Sequence, residues 1–352
     1  MKLRLGLVGP LPPPSGGMAN QTLQLARLLR AEGLQVELVQ VNPPYRPAFV
    51  ARLRGVRAVS RLLPYLLRLW RCAGQCDLLH VMANSGWSWH LFAAPAIWIG
   101  RWRGTPVLVN YRGGEAEAFF ARSLRWVRPS MERASAVVVP SGFLEEVFQR
   151  HGMAALVLPN VVDLARFRPA ARPRGQCVLV ARNLEPIYDN ASALHALALL
   201  RITHPAARMV IAGSGPLRAA LEQLAAQLGV QDAVRFAGQV DHAQMASLYA
   251  EADVMLNPSL VDNMPNAVLE ALASGVPVVS TRAGGVPYMV QDGRTALLVT
   301  PGAAPEMAAA LACLFDQPAL ADALAAAGRQ EAARCAWTAV RPQLLAVYER
   351  LA

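Results

Sequence analysis

Apolar residues recur along the chain in short runs separated by stretches of helical period. Leu3 to Val8 forms the first run, the loop GPLPPPSGG spans 9–17, and helical spacing follows from about Met18 to Glu32. A second strand, QVELVQV, comes after Gly33. Strand, glycine-rich loop, helix and strand in that order open a parallel βαβ sheet. Further short strands are predicted at Leu78–Met82, Val107–Asn110 and Ala136–Pro140. The Pro/Arg-rich stretch RFRPAARPRGQ (166–176) interrupts the rhythm and is the predicted linker. The rhythm then restarts with CVLVAR (177–182), RMVIAG (208–213), VRFAG (234–238), DVMLNPS (253–259) and VPVVST (276–281), with helical segments between them. Near-continuous apolar runs suit a parallel sheet covered by helices on both faces. The expected fold class is therefore α/β, with Rossmann-like parallel-sheet domains over 1–168 and 177–335. A last amphipathic helix over 336–352, carrying Trp337 and Tyr348, is expected to pack back on the first domain.

The segment 54–71 has a different pattern. At about 100° per residue, Val59, Leu62, Leu63, Leu66, Leu67 and Trp70 share one face, and Arg54, Arg57, Arg61, Arg68 and Arg71 the other. Pro64 predicts a break into two pieces. Two readings stand side by side: a basic amphipathic stretch meeting an anionic membrane surface, or an ordinary helix packed on the sheet with solvated arginines.

Composition narrows the picture. The chain has 352 residues, 54% hydrophobic and 16% charged, which suits about two domains with buried cores and excludes a disordered chain. The net charge of +10 is unevenly spread: residues 1–170 hold 21 Lys+Arg against 9 Asp+Glu, whereas 171–352 hold 13 against 15. An anionic partner is expected on the first half: phosphates, an acidic acceptor or a membrane surface. Lys2 is the single lysine, which excludes Schiff-base chemistry, and the absence of Gly-Lys-Ser/Thr excludes a P-loop. Five cysteines lack framework spacing, and Cys72 and Cys76 are too widely spaced for a CxxC pair, so reduced, cytosolic thiols are expected. No His/Asp/Cys grouping has metal-ligand spacing, so no metal is expected. The longest stretch free of charged side chains, Leu78–Gly100, contains His80, Asn84, Ser85, His90 and Pro95 and does not resemble a bilayer span. No signal peptide is evident. The expected location is cytoplasmic, with a peripheral place on the inner face of the membrane if 54–71 meets lipid. No module or lysine-rich tail supports nucleic-acid binding.

Chemistry concentrates in PSLVDNMPNAVLEALASGVPVVST (258–281). A strand ends at Pro258, Asp262 sits in the loop, Pro265 occupies a first helical position, and Glu270 follows about two turns on. Free N–H groups at a helix start favour anions, and carboxylates accept bidentate hydrogen bonds from vicinal hydroxyls. A sugar nucleotide offers that combination. The bland alternative is a capping Asp and a solvated Glu. The helix end turning directly into a strand argues for a Glu270 that faces a cleft.

This segment resembles the two-carboxylate E-x7-E donor motif of family 4 retaining glycosyltransferases, here Asp262-x7-Glu270. Other stretches are similar to that family's landmarks, in order: GPLPPPSGGMANQTLQLARLL (9–29), LPNVVDLARFRP (158–169), GSGPLRAAL (213–221), 234–259 and RAGGVPYMVQDGRTALLV (282–299). The resemblance implies a GT-B fold, two Rossmann-like domains facing across a cleft, an acceptor-side N-terminal domain and a nucleotide-sugar-binding C-terminal one. It implies that Glu270 holds the donor ribose and that Asp262 contacts the donor sugar, with the N–H groups of Asn263 and Met264 beside it. Arg182 would bind the donor phosphate, Gly213 belongs to the nucleotide-side landmarks, and Gly16 and Gly17 would admit the diphosphate to the N-domain backbone. Such enzymes are retaining, metal-independent hexosyltransferases, with no cofactor beyond the donor itself.

Three departures from the family stand out. No lysine follows Arg182 in ARNLEPIYDN (181–190). Asp262-Asn263 replaces Glu-Gly. Tyr111-Arg112, in NYRGGE (110–115), replaces the usual histidine. Arg112 is the candidate to supply the missing positive charge, with His80 and Tyr111 as further acceptor-side candidates. The expected activity is transfer of a sugar from a UDP- or GDP-sugar to a glycan or lipid-linked acceptor in polysaccharide, lipopolysaccharide or glycolipid assembly. The alternatives are a sugar-nucleotide epimerase or hydrolase on the same scaffold, and a catalytically weak GT-B binding protein.

Overall fold

The computed structural model describes residues 3–13, 16–44, 56–170 and 175–352, with the side chains of 56–59 outside that description. The chain divides into two compact units, Met1–Val161 with Val340–Ala352, and Val162–Ala339. Each is built on a parallel six-stranded sheet. The first sheet joins β1 (Arg4–Gly9), β2 (Gln35–Gln40), β3 (Leu78–Ala83), β4 (Val107–Tyr111), β5 (Ala136–Val139) and β6 (Leu156–Val157) in the order β2-β1-β3-β4-β5-β6. The second joins β7 (Cys177–Ala181), β8 (Arg208–Ala212), β9 (Val234–Gly238), β10 (Val254–Asn257), β11 (Val278–Thr281) and β12 (Leu297–Val299) in the order β12-β11-β10-β7-β8-β9. Strand order reverses beside the first strand of each sheet, between β1 and β3 and between β7 and β10. In open α/β sheets such switch points are where ligands bind, at the carboxyl ends of the strands.

The apolar runs have a simple cause. In β7, Cys177 and Leu179 enter the core on one face of the sheet, and Val178 and Val180 enter the core on the other. In β10, Met255 takes the first face and Val254 and Leu256 the second. With period-two geometry and both faces covered, every position must be apolar. The sequence pattern missed β6 and β12. They have only two and three residues, and both residues of β6 are exposed, so neither supplies a distinctive run.

The expected break at Pro64 is overturned: α2 runs unbroken over Val56–Ala73 with Pro64 inside it. Pro64 lies on the exposed side, where the helix hydrogen bond it removes is a cost that water can meet. The expected division of faces also changes. Tyr65, Leu69, Cys72 and Ala73 are buried, Leu62 and Leu66 pack beside them, and Leu63, Leu67 and Trp70 stand out in solvent at 56%, 55% and 44% exposure. Arg68 and Arg71 are exposed next to that stripe. Arg54 and the side chains of Arg57 and Val59 lie outside the described residues.

Two contacts bring the last helix, α12 (Trp337–Leu351), onto the first unit. Arg341 pairs with Glu32 at 3.1 Å, and the Tyr348 hydroxyl lies 2.7 Å from His80 Nδ1. Among the described residues no single helix is long and apolar enough to cross a membrane. Ala304–Asp316 and Pro318–Arg334 reach that length and composition only as a pair bent by 102°.

Candidate functional site

The switch point of the second sheet gathers the charged residues. Arg182 directly follows β7, Asn257 ends β10, and Asp262 lies in the loop after it. Arg182 donates from Nε to Asn257 Oδ1 at 2.7 Å and from Nη2 to Asp262 Oδ2. The Tyr188 ring lies 5.2 Å from the guanidinium, within cation–π reach. Asn257, fully buried, is fixed in turn by Ser259 Oγ, which donates to its Oδ1 at 2.8 Å, and by its own Nδ2, which donates to Ser280 Oγ at 2.9 Å. The sequence pattern marks Asn257 only as a strand end. Its role as the clamp that orients Arg182 appears once β7 and β10 are adjacent.

Asp262 is nearly buried, and burial, the largest influence, pushes its carboxyl above the ordinary range. The Arg182 charge opposes this, as do the polar groups of Ser259 and Asn257 beside it and the hydrogen bond from the Asn263 N–H. The Asn263 N–H donates to Asp262 Oδ1 at 3.1 Å, so in this state it faces the carboxylate of its own loop. Met264 and Asn263 are both buried. Pro265 is the N-cap and the helix α9 begins at Asn266 (Asn266–Ala273), one residue later than the sequence suggests.

Glu270 sits in the middle of α9. The Tyr249 hydroxyl shares its one proton between the Ala267 carbonyl at 2.8 Å and Glu270 Oε2 at 3.2 Å. Burial raises its pKa to about 7, against the Tyr249 hydrogen bond and the charges of Arg182 and Arg166. Tyr249 and Arg166 carried no signal in the sequence, because they come from α8 (His242–Glu251) and from the segment before β7.

Three glycine positions keep the loops at 182 and 262 in place. A Cβ on Gly213 would fall 2.1 Å from the Arg182 carbonyl oxygen, and one on Gly284 would fall 2.1 Å from the Asp262 carbonyl oxygen. Gly285 approaches Asn263 as closely, and its N–H donates to the Asp262 carbonyl at 2.9 Å. These glycines admit backbone against backbone, a requirement only a residue without Cβ meets. The loop after Arg182 is tied across to the Asp262 loop by Leu260 N–H donating to the Ile187 carbonyl at 2.8 Å.

The first unit holds the remaining candidates. Gly16 is the N-cap of α1 (Gly17–Ala31) with extended backbone, and among the described residues nothing lies within 4 Å of where a Cβ would stand. Gly17 is the first residue of that helix. His80 and Tyr111, the further acceptor-side candidates, are both fully buried. Tyr111 bonds Ser85 Oγ at 2.7 Å. His80 belongs to a chain of polar groups. Arg112 Nε donates to Asn110 Oδ1 at 3.0 Å, which turns Asn110 Nδ2 toward His80 Nε2 at 3.1 Å. That nitrogen must accept, so the proton sits on Nδ1 and is donated to Tyr348 Oη. Burial, with the Arg112 charge adding to it, holds the His80 pKa down at about 3, so the ring is neutral. His80 thus bridges β4 and α12. Arg112 is half-buried and also donates from Nη1 to Asn160 Oδ1. Burial lowers its pKa to about 10.

Comparison with known proteins places the chain in a family. Residues 15–166 match the family described as Glycosyltransferase Family 4, and residues 162–331 match Glycosyl transferases group 1. The glycogen synthase of Mycobacterium tuberculosis is 30% identical over 90% of this chain and 86% of its own length. The phosphatidyl-myo-inositol mannosyltransferase of Mycobacterium leprae is 28% identical over 99% of this chain and 97% of its own. An MMP alpha-(1->4)-mannosyltransferase of Mycolicibacterium hassiacum is 32% identical over 71% of this chain, which spans only 60% of that relative's length. The structure of Anabaena Alr3699/HepE in complex with UDP-glucose shares the fold at a TM-score of 0.79 and 20% identity, covering 99% of this chain and 100% of that one. With two family matches that together cover most of its length, the chain belongs to the family 4, group 1 retaining glycosyltransferases of GT-B fold.

Proposed function

We propose that the unit Val162–Ala339 binds a nucleoside-diphosphate hexose and that the chain transfers the hexosyl group to a hydroxyl of a glycan or lipid-linked acceptor. The observation that carries this reading is the Arg182–Asp262 pair at the β7/β10 switch point, with Glu270 close enough to feel the Arg182 charge. Arg182 Nη1 makes no hydrogen bond to the described residues, while Nε and Nη2 are fixed, so the guanidinium is already oriented to receive a phosphate oxygen. In this scheme Glu270 accepts from the ribose hydroxyls and Asp262 from the sugar, with Asn263, Met264 and Gly213 shaping the pocket. Arg182 stabilises the diphosphate as it leaves, while the acceptor hydroxyl attacks the same face of the sugar. Arg112, Gly16 and Gly17 are assigned to the acceptor-side unit, with Arg112 the candidate second cation. The Asp-Asn pair in place of Glu-Gly marks a subgroup of the family, and the relatives' acceptors, glycan and phosphoinositide, point to polysaccharide, lipopolysaccharide or glycolipid assembly.

Incubation with UDP- and GDP-hexoses and sugar or glycolipid acceptors should give a new glycosidic bond with the donor's anomeric configuration kept. Free sugar plus nucleotide, with no acceptor product, would instead favour the hydrolase reading, and an altered nucleotide sugar the epimerase reading.

The same proposal places the chain peripherally on an anionic membrane through the exposed stripe of α2. Leu63, Leu67 and Trp70 project beside Arg68 and Arg71, and the Arg103 guanidinium lies 5.0 Å from the Trp70 ring. Apolar side chains flanked by cations suit the boundary between headgroups and acyl chains. Replacing Leu63, Leu67 and Trp70 together by serine should lower partition onto anionic vesicles at least ~10-fold, since each apolar side chain transferred contributes on the order of 1 kcal/mol or more. Unchanged vesicle sedimentation would return this face to ordinary solvated surface.

A further inference from the structure

The spacing of Cys72 and Cys76 gave no reason to expect a metal, yet the fold brings a third donor to them. We propose that Cys72, Cys76 and Glu37 form a binding site for one thiophilic divalent cation of the zinc class, separate from the sugar-nucleotide site. Cys72 lies in the last turn of α2, and the Cys76 N–H donates to the Cys72 carbonyl at 3.0 Å. That bond continues the helical path for one more turn and sets the two side chains on one side. Their Sγ atoms are 3.5 Å apart. Glu37, on β2, offers a carboxylate oxygen, and all three donor atoms lie within 4.8 Å of one another.

Zinc–sulfur bonds of about 2.3 Å at tetrahedral angles place two sulfurs about 3.8 Å apart, and a zinc-bound oxygen about 3.5 Å from each sulfur. The observed sulfur separation is a few tenths of an ångström from that edge. A thiol pair on its way to a disulfide would have to close by about 1.5 Å to reach the bond length near 2.05 Å. Gly6 forms the floor. It is the register partner of Glu37 across β1 and β2, and a Cβ there would fall 2.6 Å from Cys72 Sγ and 3.5 Å from Cys76 Sγ. Cys72 is buried, Cys76 half-buried and Glu37 exposed, so an ion would be held from beneath and keep one position open to water. The Cys72 thiol beside it lowers the Cys76 pKa, and the nearby charges of Asp77 and Arg4 act on it in opposite directions. Two thiolates and a carboxylate outweigh the ion by one negative charge. On binding, the ion replaces the thiol protons, which pass to solvent. The bound ion fastens the end of α2 to β2, below the exposed stripe of the same helix.

The full chain, reduced and freed of metal with a chelator, is titrated with Co2+ as the spectroscopic probe. The expected result is saturation at one equivalent, with sulfur-to-cobalt charge-transfer absorption in the near ultraviolet and displacement by Zn2+. Cys76→Ser should abolish the band. Glu37→Gln, which leaves the sulfurs untouched and sits on an exposed face, should weaken Co2+ binding about 10-fold or more. Donor binding should stay unchanged in both variants, because neither residue belongs to the sugar-nucleotide site. Absence of saturable uptake overturns the proposal. So does a band that survives Cys76→Ser, affinity unchanged in Glu37→Gln, or a thiol pair that oxidises to a disulfide and takes no Co2+ when reduced.

Discussion

Replacing Glu270 by glutamine is expected to weaken nucleotide-sugar binding about 10- to 100-fold above neutral pH, the scale of losing hydrogen bonds to a charged acceptor. It should also make the unliganded chain more stable. Both effects follow from one environment. Burial raises the Glu270 pKa from 4.5 to about 7 in the folded chain, and Tyr249, Arg182 and Arg166 only partly oppose it. A carboxyl whose folded pKa is raised binds its proton more tightly folded than unfolded. Its contribution to stability is therefore complete below pH 4.5 and is lost as pH rises through about 7. By about pH 8 the ionised carboxylate costs the fold no more than about 3.5 kcal/mol, from a rise in pKa from 4.5 to about 7 at ~1.4 kcal/mol per tenfold change in proton affinity. Glutamine keeps an oxygen for the Tyr249 hydroxyl and removes that cost. Its thermal midpoint should exceed the wild type's near pH 8 and approach it near pH 5.

Ligand binding has the opposite dependence. The ribose hydroxyls need an ionised acceptor pair, so wild-type donor affinity should fall as pH drops through about 7, and the Glu270→Gln profile should be flat. Calorimetric titration with a UDP-hexose across that range, beside thermal melts of both proteins, checks the two limbs. A wild-type affinity that does not change across that range would remove Glu270 from the ribose. A variant no more stable than wild type at the alkaline end would mean the carboxylate is better solvated than its surroundings suggest.

How much of this could be read from the chain alone depends on the range of the interactions. The parallel sheets were readable because burial on both faces forces unbroken apolar runs, as in β7 and β10. Arg182, Asp262 and Glu270 were singled out because they lie in segments that resemble the family's landmarks, each of them local in sequence. What escaped was whatever depends on which strands become neighbours. Asn257, Tyr249 and Arg166 acquire their roles only when β7 lies against β10 and α8 against α9. Gly284 and Gly285 resembled turn residues, but their constraint comes from the backbone at 262 and 263, far away in sequence. The partners of His80 escaped for the same reason: Asn110 and Tyr348 sit on β4 and on the last helix. On α2, periodicity identified an amphipathic helix. It did not divide the apolar residues into a buried set and an exposed one, since both are leucine-rich and adjacent on the helix surface.

Replacing Arg182 by alanine should affect catalysis and folding together, and the two can be separated. The guanidinium and the Asp262 carboxylate retain only 10% and 12% of their side-chain surface exposed. Removing the cation leaves a carboxylate that burial already disfavours with only neutral donors: Ser259, the Asn263 N–H and Asn257. Breaking a buried pair from one side costs about 3 kcal/mol or more, chiefly from the stranded charge. The double variant Arg182→Ala with Asp262→Asn should therefore recover much of the lost stability, because the asparagine has no charge to strand. It should recover none of the turnover. Loss of one fixed charge that meets the departing diphosphate lowers kcat by about 100- to 1000-fold, while affinity for the free nucleoside, which carries no phosphate, should barely change. Lysine at 182 should restore little, because its three donors radiate from one nitrogen and do not reproduce the planar fork that reaches Asn257 and Asp262 through separate nitrogens and leaves a third for phosphate. If the double variant is no more stable than Arg182→Ala, the pair does not support the fold. If Arg182→Ala turns over normally, the cation at the β7/β10 switch point plays no part in the transfer, and the leaving group must be met by a charge elsewhere, with Arg112 the first to be tested.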